Sequence, residues 1–341
     1  MAHAGSDPSV TLVTRLGELD VYRVEHPPAR WGMVANAYIL RHGAAWAVID
    51  CGWPGPAGAQ VWDDCVTGLG LGWSALRSVW ITHAHPDHLG QARHLFERSG
   101  CVPAMHPEAL SEFQFARGLV SAGGESAFAA QFRRMGLAFA EGATFPNPFG
   151  SHSRIAVPPD FRPLVAGEPL CFAGETFQAI LTPGHCHGHI CIWHAGTRTL
   201  FAGDTVISNG FPPIVVMPGT SDNPMGDYLA TLGRLRALEA KLCLSGHGAP
   251  LPTPNARLDE TVAYHSAQMD RIAGILSAGP LTATAIAAAL RHRNIPLTAL
   301  SNLGKVQVHS EILAYLHYLV AEGKIVADQS DASGALQYCR C

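Results

Sequence analysis

A histidine-rich segment that follows directly on an apolar one constrains this chain more than any other feature. Residues 78–82 read Ser-Val-Trp-Ile-Thr, a run without polar alternation that is typical of a strand buried on both faces. The next residues include His83, His85, Asp87 and His88, in the spacing H-x-H-x-D-H. Imidazole and carboxylate groups are common ligands of divalent transition metals. Because the strand delivers all four side chains to one point, the pattern predicts a metal site.

The spacing of this cluster has room for two adjacent ions. His83 and His85 can point the same way, while Asp87 and His88 begin a following helix and can face a neighbouring point. Four side chains do not saturate two zinc ions, since each takes at least three protein ligands and a water at a catalytic site. Further candidate ligands follow strand-like runs, each directly after a glycine that lets the backbone turn sharply: His185, Asp204 and His247.

Taken together, these motifs resemble the pattern of the metallo-β-lactamase superfamily over roughly residues 10–260. The matching positions, in order, are Asp50, the 83–88 cluster, His185, Asp204 and His247. The resemblance implies that one metal is held by His83, His85 and His185. It implies that the other is held by Asp87, His88 and His247, that Asp204 bridges both, and that Asp50 orients the site. His88 together with a bridging Asp204 is similar to the glyoxalase II-type branch, because antibiotic-hydrolysing lactamases lack that aspartate.

The segment 185–189 contains three further residues of interest. By resemblance to a family pattern GHxxGH, we expect His189 to pack beneath the site and to hydrogen-bond a neighbouring loop. His187 could either face the substrate or have no role in the site. Cys186 could contact a metal, although a buried, inert thiol is the more ordinary role for such a residue.

A pair of metal ions held by these residues predicts a hydrolytic reaction. Two cations lower the pKa of a shared water from 15.7 towards ~7, so a metal-bridging hydroxide could attack a polarised carbonyl or phosphoryl group. Asp87 and Asp204 are the predicted catalytic carboxylates, and Asp87 could pass a proton to the leaving group. The sequence favours a zinc-dependent hydrolase of a thioester, lactone or activated ester, on a small or carrier-bound acyl compound. The alternative is a ribonuclease or phosphodiesterase, and iron or manganese would also suit these ligands.

Composition excludes several other classes of protein. Lys and Arg number 23 against 27 Asp and Glu, so no global positive field attracts nucleic acid or anionic lipid. Nine cysteines without a CxxC pair, and an opening segment unlike a signal peptide, favour reduced thiols in the cytoplasm. The uncharged run at 272–290 is broken by Gly279-Pro280, which predicts two helices joined by a turn instead of a membrane span.

Alternating strand-like and helical segments predict an α/β protein, and the resemblance implies an αββα sandwich. We assign residues 1–262 to a catalytic domain, with a helical insertion at 108–164 as a candidate lid whose phenylalanines could line an acyl pocket. Residues 263–341, with three helices and a hairpin, resemble a winged helix. Its scattered cations suit nucleic acid poorly, so we expect it to pack on the catalytic domain or to form a homodimer contact.

Overall fold

The structure is a computed structural model of the 341-residue chain. It describes residues 10–28, 33–121, 155–216, 221–290, 295–328 and 335–341. Most of the insertion predicted at 108–164 lies outside the described residues, and the candidate lid stays a prediction.

The first sheet has seven strands that follow one another in chain order. Its strands are β1 (Val10–Leu16), β2 (Leu19–His26), β3 (Ala35–His42), β4 (Ala45–Ile49), β5 (Leu76–Ile81), β6 (Ala104–Met105) and β7 (Arg162–Pro163). Pairing is antiparallel from β1 to β4 and parallel from β4 to β7. The helices between these strands are α1 (Pro56–Gly68), α2 (Pro86–Leu89), α3 (Ala92–Ser99) and α4 (Pro107–Ser121).

The second sheet has six strands in the order β13-β12-β11-β10-β9-β8. These are β8 (Pro169–Phe172), β9 (Glu175–Leu181), β10 (Ile190–His194), β11 (Thr199–Gly203), β12 (Leu242–Ser245) and β13 (Leu251–Pro252). The helix α5 (Pro224–Ala237) connects β11 to β12, which therefore pair in parallel. Strands β9, β11 and β12 run in one direction, so their carboxyl ends meet at one edge.

The two sheets pack face to face through a shared apolar layer. Trp80 of the first sheet and Phe177 of the second have ring centroids 5.5 Å apart, and Tyr38 and Phe201 are 5.4 Å apart. Helices bury the outer faces, for example through Trp62 of α1, which is fully buried. Burial on both faces explains why the central strands read as continuous apolar runs. The predicted αββα sandwich is confirmed.

The C-terminal part of the chain adds helices and a small sheet. Its elements are α6 (Asn255–Ile275), β14 (Leu281–Thr282), α7 (Ala283–Leu290), α8 (Asn302–Ala321), β15 (Ile325–Asp328) and β16 (Gln337–Arg340), with sheet order β14-β16-β15. Ile312 and Leu316 of α8 share one apolar cluster with Tyr228 and Leu232 of α5. These helices therefore pack directly on the second sheet's helical layer.

Helix α6 begins earlier than the sequence analysis expects. The C-terminal part assigned from residue 263 would begin with this helix, but the helix starts at Asn255, directly after Pro254. Only Leu258 and Thr261 are buried in its first two turns, so that stretch lacks a clear apolar period. The boundary placed at 262/263 falls inside a continuous helix, and the division into two domains stays a prediction.

The chain turns at Gly279, between α6 and α7, where the Gly-Pro pair predicts a break. Within the described residues, no helix combines the length and apolar character that a membrane crossing requires.

A tight turn after β4 positions Asp50, the first residue of the pattern found in the sequence. Asp50 and Gly52 both have left-handed backbones, with φ of 63° and 78°. A Cβ on Gly52 would lie 2.3 Å from the buried ring of His26. Glycine is therefore required at position 52 both by conformation and by close contact.

The substitution Gly52→Ala should lower the free energy of unfolding by about 2–5 kcal/mol, since a left-handed alanine costs about 1–2 kcal/mol and overpacking about 1–3 kcal/mol. Gly43 is a matched control, because its φ is 58° and a Cβ at this position would have no neighbouring atom within 4 Å. Gly43→Ala should cost only about 1–2 kcal/mol. Urea unfolding of both variants checks this, and equal losses would contradict the packing argument.

Candidate metal centre

The structure brings the seven predicted ligands together at one edge of the sandwich. The cluster at 83–88 follows β5, and the other three follow β9, β11 and β12: His185, Asp204 and His247. Strands β9, β11 and β12 run in the same direction, so their carboxyl ends lie at one edge, where the carboxyl end of β5 in the other sheet also lies. All but two of the seven residues are buried, the exceptions being His85 and Asp87, which are partly exposed.

The ligand atoms form two groups, each compact enough to hold one ion. His83, His85, His185 and Asp204 each offer an atom within 4.8 Å of the others, and so do Asp87, His88 and His247. In the first group, His185 Nε2 is 3.0 Å from His85 Nδ1. In the second group, His247 Nε2 is 3.2 Å from Asp87 Oδ2.

The carboxylate of Asp204 lies between the two groups. Its Oδ2 is 3.7 Å from His185 Nε2 and 3.3 Å from His247 Nε2. Its Oδ1 is 3.2 Å from His88 Nε2. One carboxylate therefore faces both groups of ligands.

Four of the histidines have their Nδ1 atoms occupied by hydrogen bonds away from the centre. His185 Nδ1 donates to the Pro213 carbonyl at 2.9 Å, and His247 Nδ1 to the Val34 carbonyl at 2.7 Å. His88 Nδ1 donates to Asp50 Oδ2 at 2.8 Å. In His83, Nδ1 is 3.0 Å from the Thr82 hydroxyl, which itself donates to Asp50 and so accepts from the ring. When such a ring is neutral, it directs the lone pair of Nε2 into the centre, as a metal ligand requires.

Several polar atoms at the middle of the site lack hydrogen-bond partners among the described residues. They are His83 Nε2 and the facing atoms His88 Nε2 and Asp204 Oδ1, which lie 3.2 Å apart as an ion pair but not in hydrogen-bond geometry, and all three are buried. A buried polar atom without a partner costs on the order of 1–3 kcal/mol. Divalent cations at the two groups would give these atoms partners, so the donor set fits a pair of metal ions.

Two residues outside the ligand groups hold the site in shape. Asp50 also accepts hydrogen bonds from the Thr82 amide and hydroxyl, at 2.8 Å and about 3 Å, so its carboxylate links the end of β5 to His88. His189 is fully buried and belongs to neither group of ligand atoms. Its Nε2 accepts from the Asp204 amide at 3.1 Å, and its Nδ1 lies near the hydroxyls of Thr182 and Thr205, at 2.8 and 3.0 Å.

Further residues that shape the site were not identified from the sequence. Asn36 of β3 donates through Nδ2 to the Ser245 and Gly248 carbonyls, which fixes the loop that carries His247 to the first sheet. Glu112 of α4 accepts hydrogen bonds from the amides of His187 and Gly188. His187 itself is partly exposed, 3.7 Å from Glu108 Oε2.

The charges of the site raise the pKa values of two of its histidines and lower the pKa of Asp204. Burial lowers the pKa of His88, but the carboxylates of Asp204, Asp50 and Asp87 outweigh it and raise that pKa well above its usual value. Burial is likewise outweighed at His247, whose pKa rises to about 10 beside Asp204. Burial opposes ionisation of Asp204, yet His247 and His88 hold its pKa well below the usual value. Without cations, the carboxylates therefore keep protons on both histidines.

The sequence profile described as the metallo-beta-lactamase superfamily matches residues 30–247, which include all seven ligand positions. The αββα fold carries a His/Asp centre whose donor atoms suit divalent metal ions. The chain belongs to the metallo-beta-lactamase superfamily.

Curated relatives match the chain at low identity. "Atrochrysone carboxyl ACP thioesterase" of Aspergillus fumigatus is 23% identical over 230 residues, which cover 67% of this chain and 55% of that protein. "Probable metallo-hydrolase YflN" of Bacillus subtilis is 26% identical over 247 residues, covering 67% of this chain and 86% of that protein. The chain spans about half the length of the Aspergillus relative and 30% of a related thioesterase of Paecilomyces divaricatus.

Solved structures share the fold over nearly the whole chain. A metallo-beta-lactamase family protein from Thermus thermophilus has a TM-score of 0.76 at 25% identity, covering 96% of this chain and 99% of its own. A beta-lactamase domain protein from Burkholderia ambifaria has a TM-score of 0.82 at 23% identity, covering 99% of this chain and 97% of its own. The C-terminal helices therefore belong to a fold that these proteins share.

Metal binding to chelator-treated protein should release protons at pH 7. His88 and His247 hold protons in the metal-free site, and a ligating ring must give its proton up. Affinity should therefore rise between pH 6 and pH 8. Calorimetry in two buffers of different ionisation enthalpy counts the protons. His247→Ala should release fewer protons than the wild type, whereas His42→Ala, on the surface beside Glu18, should release the same number. An affinity that does not change with pH would contradict the charge assignment.

Proposed function

We propose that the protein is a dinuclear metal-dependent hydrolase, similar to the glyoxalase II branch, that cleaves an acyl thioester. Lactones and activated esters are alternative substrates of the same chemistry. The observation that carries the proposal is the position of Asp204, whose carboxylate oxygens lie within 3.2–3.9 Å of histidines from both ligand groups. A shared carboxylate is what a pair of ions a few ångström apart would require.

In this proposal the two groups divide the ligands as the resemblance implies. His83, His85 and His185 would hold one ion, while Asp87, His88 and His247 would hold the other, and Asp204 would contact both. Bound divalent ions would supply water of lowered pKa and a Lewis acid for the carbonyl oxygen. Zinc is the proposed metal, and iron or manganese would also suit imidazole and carboxylate ligands.

The surrounding residues would keep the ligands in place while substrate binds. Asp50 would orient His88 directly and His83 through Thr82. His189 would fix Asp204 through its backbone amide. Asp87 would take up the proton that the attacking water loses and pass it to the leaving thiolate, since its carboxylate is only partly covered and lies beside His247. Such outer contacts commonly matter about as much as the ligands do, at 10–100-fold in metal affinity or activity.

The thioester is chosen from the named relatives. Two of the matching fungal proteins are named acyl carrier protein thioesterases, and the Aspergillus match covers 67% of this chain. A carrier-bound acyl group is therefore the proposed substrate, with small acyl thioesters as its simplest analogues. Location in the cytoplasm is part of the proposal, and the nine cysteines, all free thiols, support it.

The C-terminal part is proposed to be winged-helix-like and to support the metal centre. Three helices and a sheet of order β14-β16-β15 support the first point. For the second, the Ser310 carbonyl of α8 accepts from the Val216 amide at 3.3 Å, and His317 Nδ1 donates to the Asp222 carbonyl at 2.8 Å. Both bonds brace the segment after Asp204, which also carries the Pro213 carbonyl that accepts from His185.

A homodimer contact is the other role proposed for this part. Nucleic-acid binding is disfavoured because the cations of this part are scattered: Lys305 lies in the first turn of α8 and Lys324 lies after its last turn. Arg291 and Arg293, the other two cations that could contact nucleic acid, lie outside the described residues.

Metal-loaded protein should release thiol from acyl thioesters, and the same protein treated with chelator should not. Asp204→Asn should lower kcat/KM by roughly 100-fold or more, because both ions would lose a shared anionic ligand. The matched control is Asp20→Asn, which changes a surface carboxylate paired with Arg15 and should leave kcat/KM unchanged. Full activity of Asp204→Asn at full metal loading would overturn the proposal. An inert panel of thioesters, lactones and esters would instead direct attention to phosphodiesters and structured RNA.

A further inference from the structure

A carboxylate outside the ligand groups contacts the loop that carries one of the ligands. Glu112 lies in the second turn of α4, and both of its oxygens are used. Oε1 accepts from the amide of His187 at 2.9 Å, and Oε2 accepts from the amide of Gly188 at 3.1 Å. A carboxylate that accepts two amide hydrogen bonds fixes one turn of backbone in a single orientation, and charged acceptors make stronger hydrogen bonds than neutral ones.

The loop lies so close to α4 that a side chain does not fit between them. A Cβ on Gly188 would lie 2.0 Å from the amide nitrogen of Ala109, one turn before Glu112 on the same helix. The φ of Gly188 is not positive, so close contact and not backbone conformation requires glycine here. The backbone of the loop is therefore seated on the helix at Ala109 and hydrogen-bonded to it at Glu112.

The loop comprises residues 185–189, and both of its ends contact the candidate metal centre. At one end, His185 Nε2 lies 3.0 Å from His85 Nδ1 and 3.7 Å from Asp204 Oδ2. At the other end, His189 accepts a hydrogen bond from the Asp204 amide. A shift of the loop would therefore move two residues at the same time: His185, a ligand of the first group, and His189, which holds the amide of Asp204.

We infer that Glu112 is a positioning residue, which sets the place of His185 in the first ligand group through the backbone of residues 187 and 188. This inference rests on the proposed function, because it takes His185 to be a metal ligand. Glu112 itself touches neither ligand atoms nor the middle of the site in the described structure, so its effect must pass through the loop.

The test is a double-mutant cycle read out as metal affinity. Stepwise zinc affinities are measured by competition with a chromophoric chelator for the wild type, Glu112→Ala, His185→Ala and the double variant. Glu112→Ala should weaken one of the two steps by roughly 10–100-fold, the range found for residues that orient ligands. His185→Ala should weaken the same step. The double variant should then be no weaker than His185→Ala alone, since the loop no longer has a ligand to position.

Two further variants keep the test decisive. Gln114→Ala is the control, because Gln114 is an exposed residue of the same helix, two residues after Glu112. It should leave both affinities unchanged. Glu112→Gln should fall between the wild type and Glu112→Ala, since its amide group accepts one of the two hydrogen bonds and cannot accept the other. This variant carries the test if Glu112→Ala does not fold, as judged by circular dichroism.

Unchanged affinities in Glu112→Ala, or in Glu112→Gln where only that variant folds, would overturn the inference, and so would effects that multiply in the double variant. None of these measurements uses a substrate. Failure of thioester hydrolysis would therefore count against the proposed function alone, while the cycle of affinities would still decide the role of Glu112.

Discussion

The carboxylate of Asp204 is the group on which the rest of the structure depends. It is 7% exposed and lies near two more largely buried carboxylates, Asp50 and Asp87. Burying charge is costly unless it is paired. In the protein alone, protons on His88 and His247 provide that pairing. Two divalent cations would carry four positive charges against these three carboxylates, and would leave every histidine neutral and free to act as a ligand. The centre is thus built to exchange protons for metal.

The sandwich brings these carboxylates and histidines together through the directions of its strands and a few hydrogen bonds between the sheets. Because β5, β9, β11 and β12 all end at one edge, short loops suffice to bring the ligands together. The amide of Ile190 donates to the Thr82 carbonyl, and the amide of Asn36 donates to the Gly246 carbonyl, each joining one sheet to the other beside the centre. Rigid positions of this kind matter because a ligand atom displaced by about 1 Å no longer completes its group.

How much of this site could be predicted depends on whether its residues are close together along the chain. The cluster at 83–88 is local, so its spacing and the strand before it indicated a metal site directly. His185, Asp204 and His247 are far apart along the chain, and resemblance to a family was needed to assign them to two groups. The acceptors of His185 and His247 are the carbonyls of Pro213 and Val34, which any residue could supply and no side chain marks.

Glu112 was missed for a similar reason. Its partners are backbone amides 75 and 76 residues further along, and a glutamate on a helix is ordinarily a solvated residue. The fold was easier to predict than the site, because short stretches of sequence are enough to indicate buried strands and glycine-rich turns. The start of α6 was not, since its first turns bury few side chains and carry no strong apolar period.

The most direct test of the central claim is anomalous diffraction from crystals of the metal-loaded protein, with data collected on both sides of the absorption edge of the metal. The account predicts two peaks in each protein molecule. One should lie within bonding distance of His83, His85 and His185, the other of Asp87, His88 and His247, and Asp204 should contact both. A single peak, or two peaks that do not share Asp204, would contradict the account.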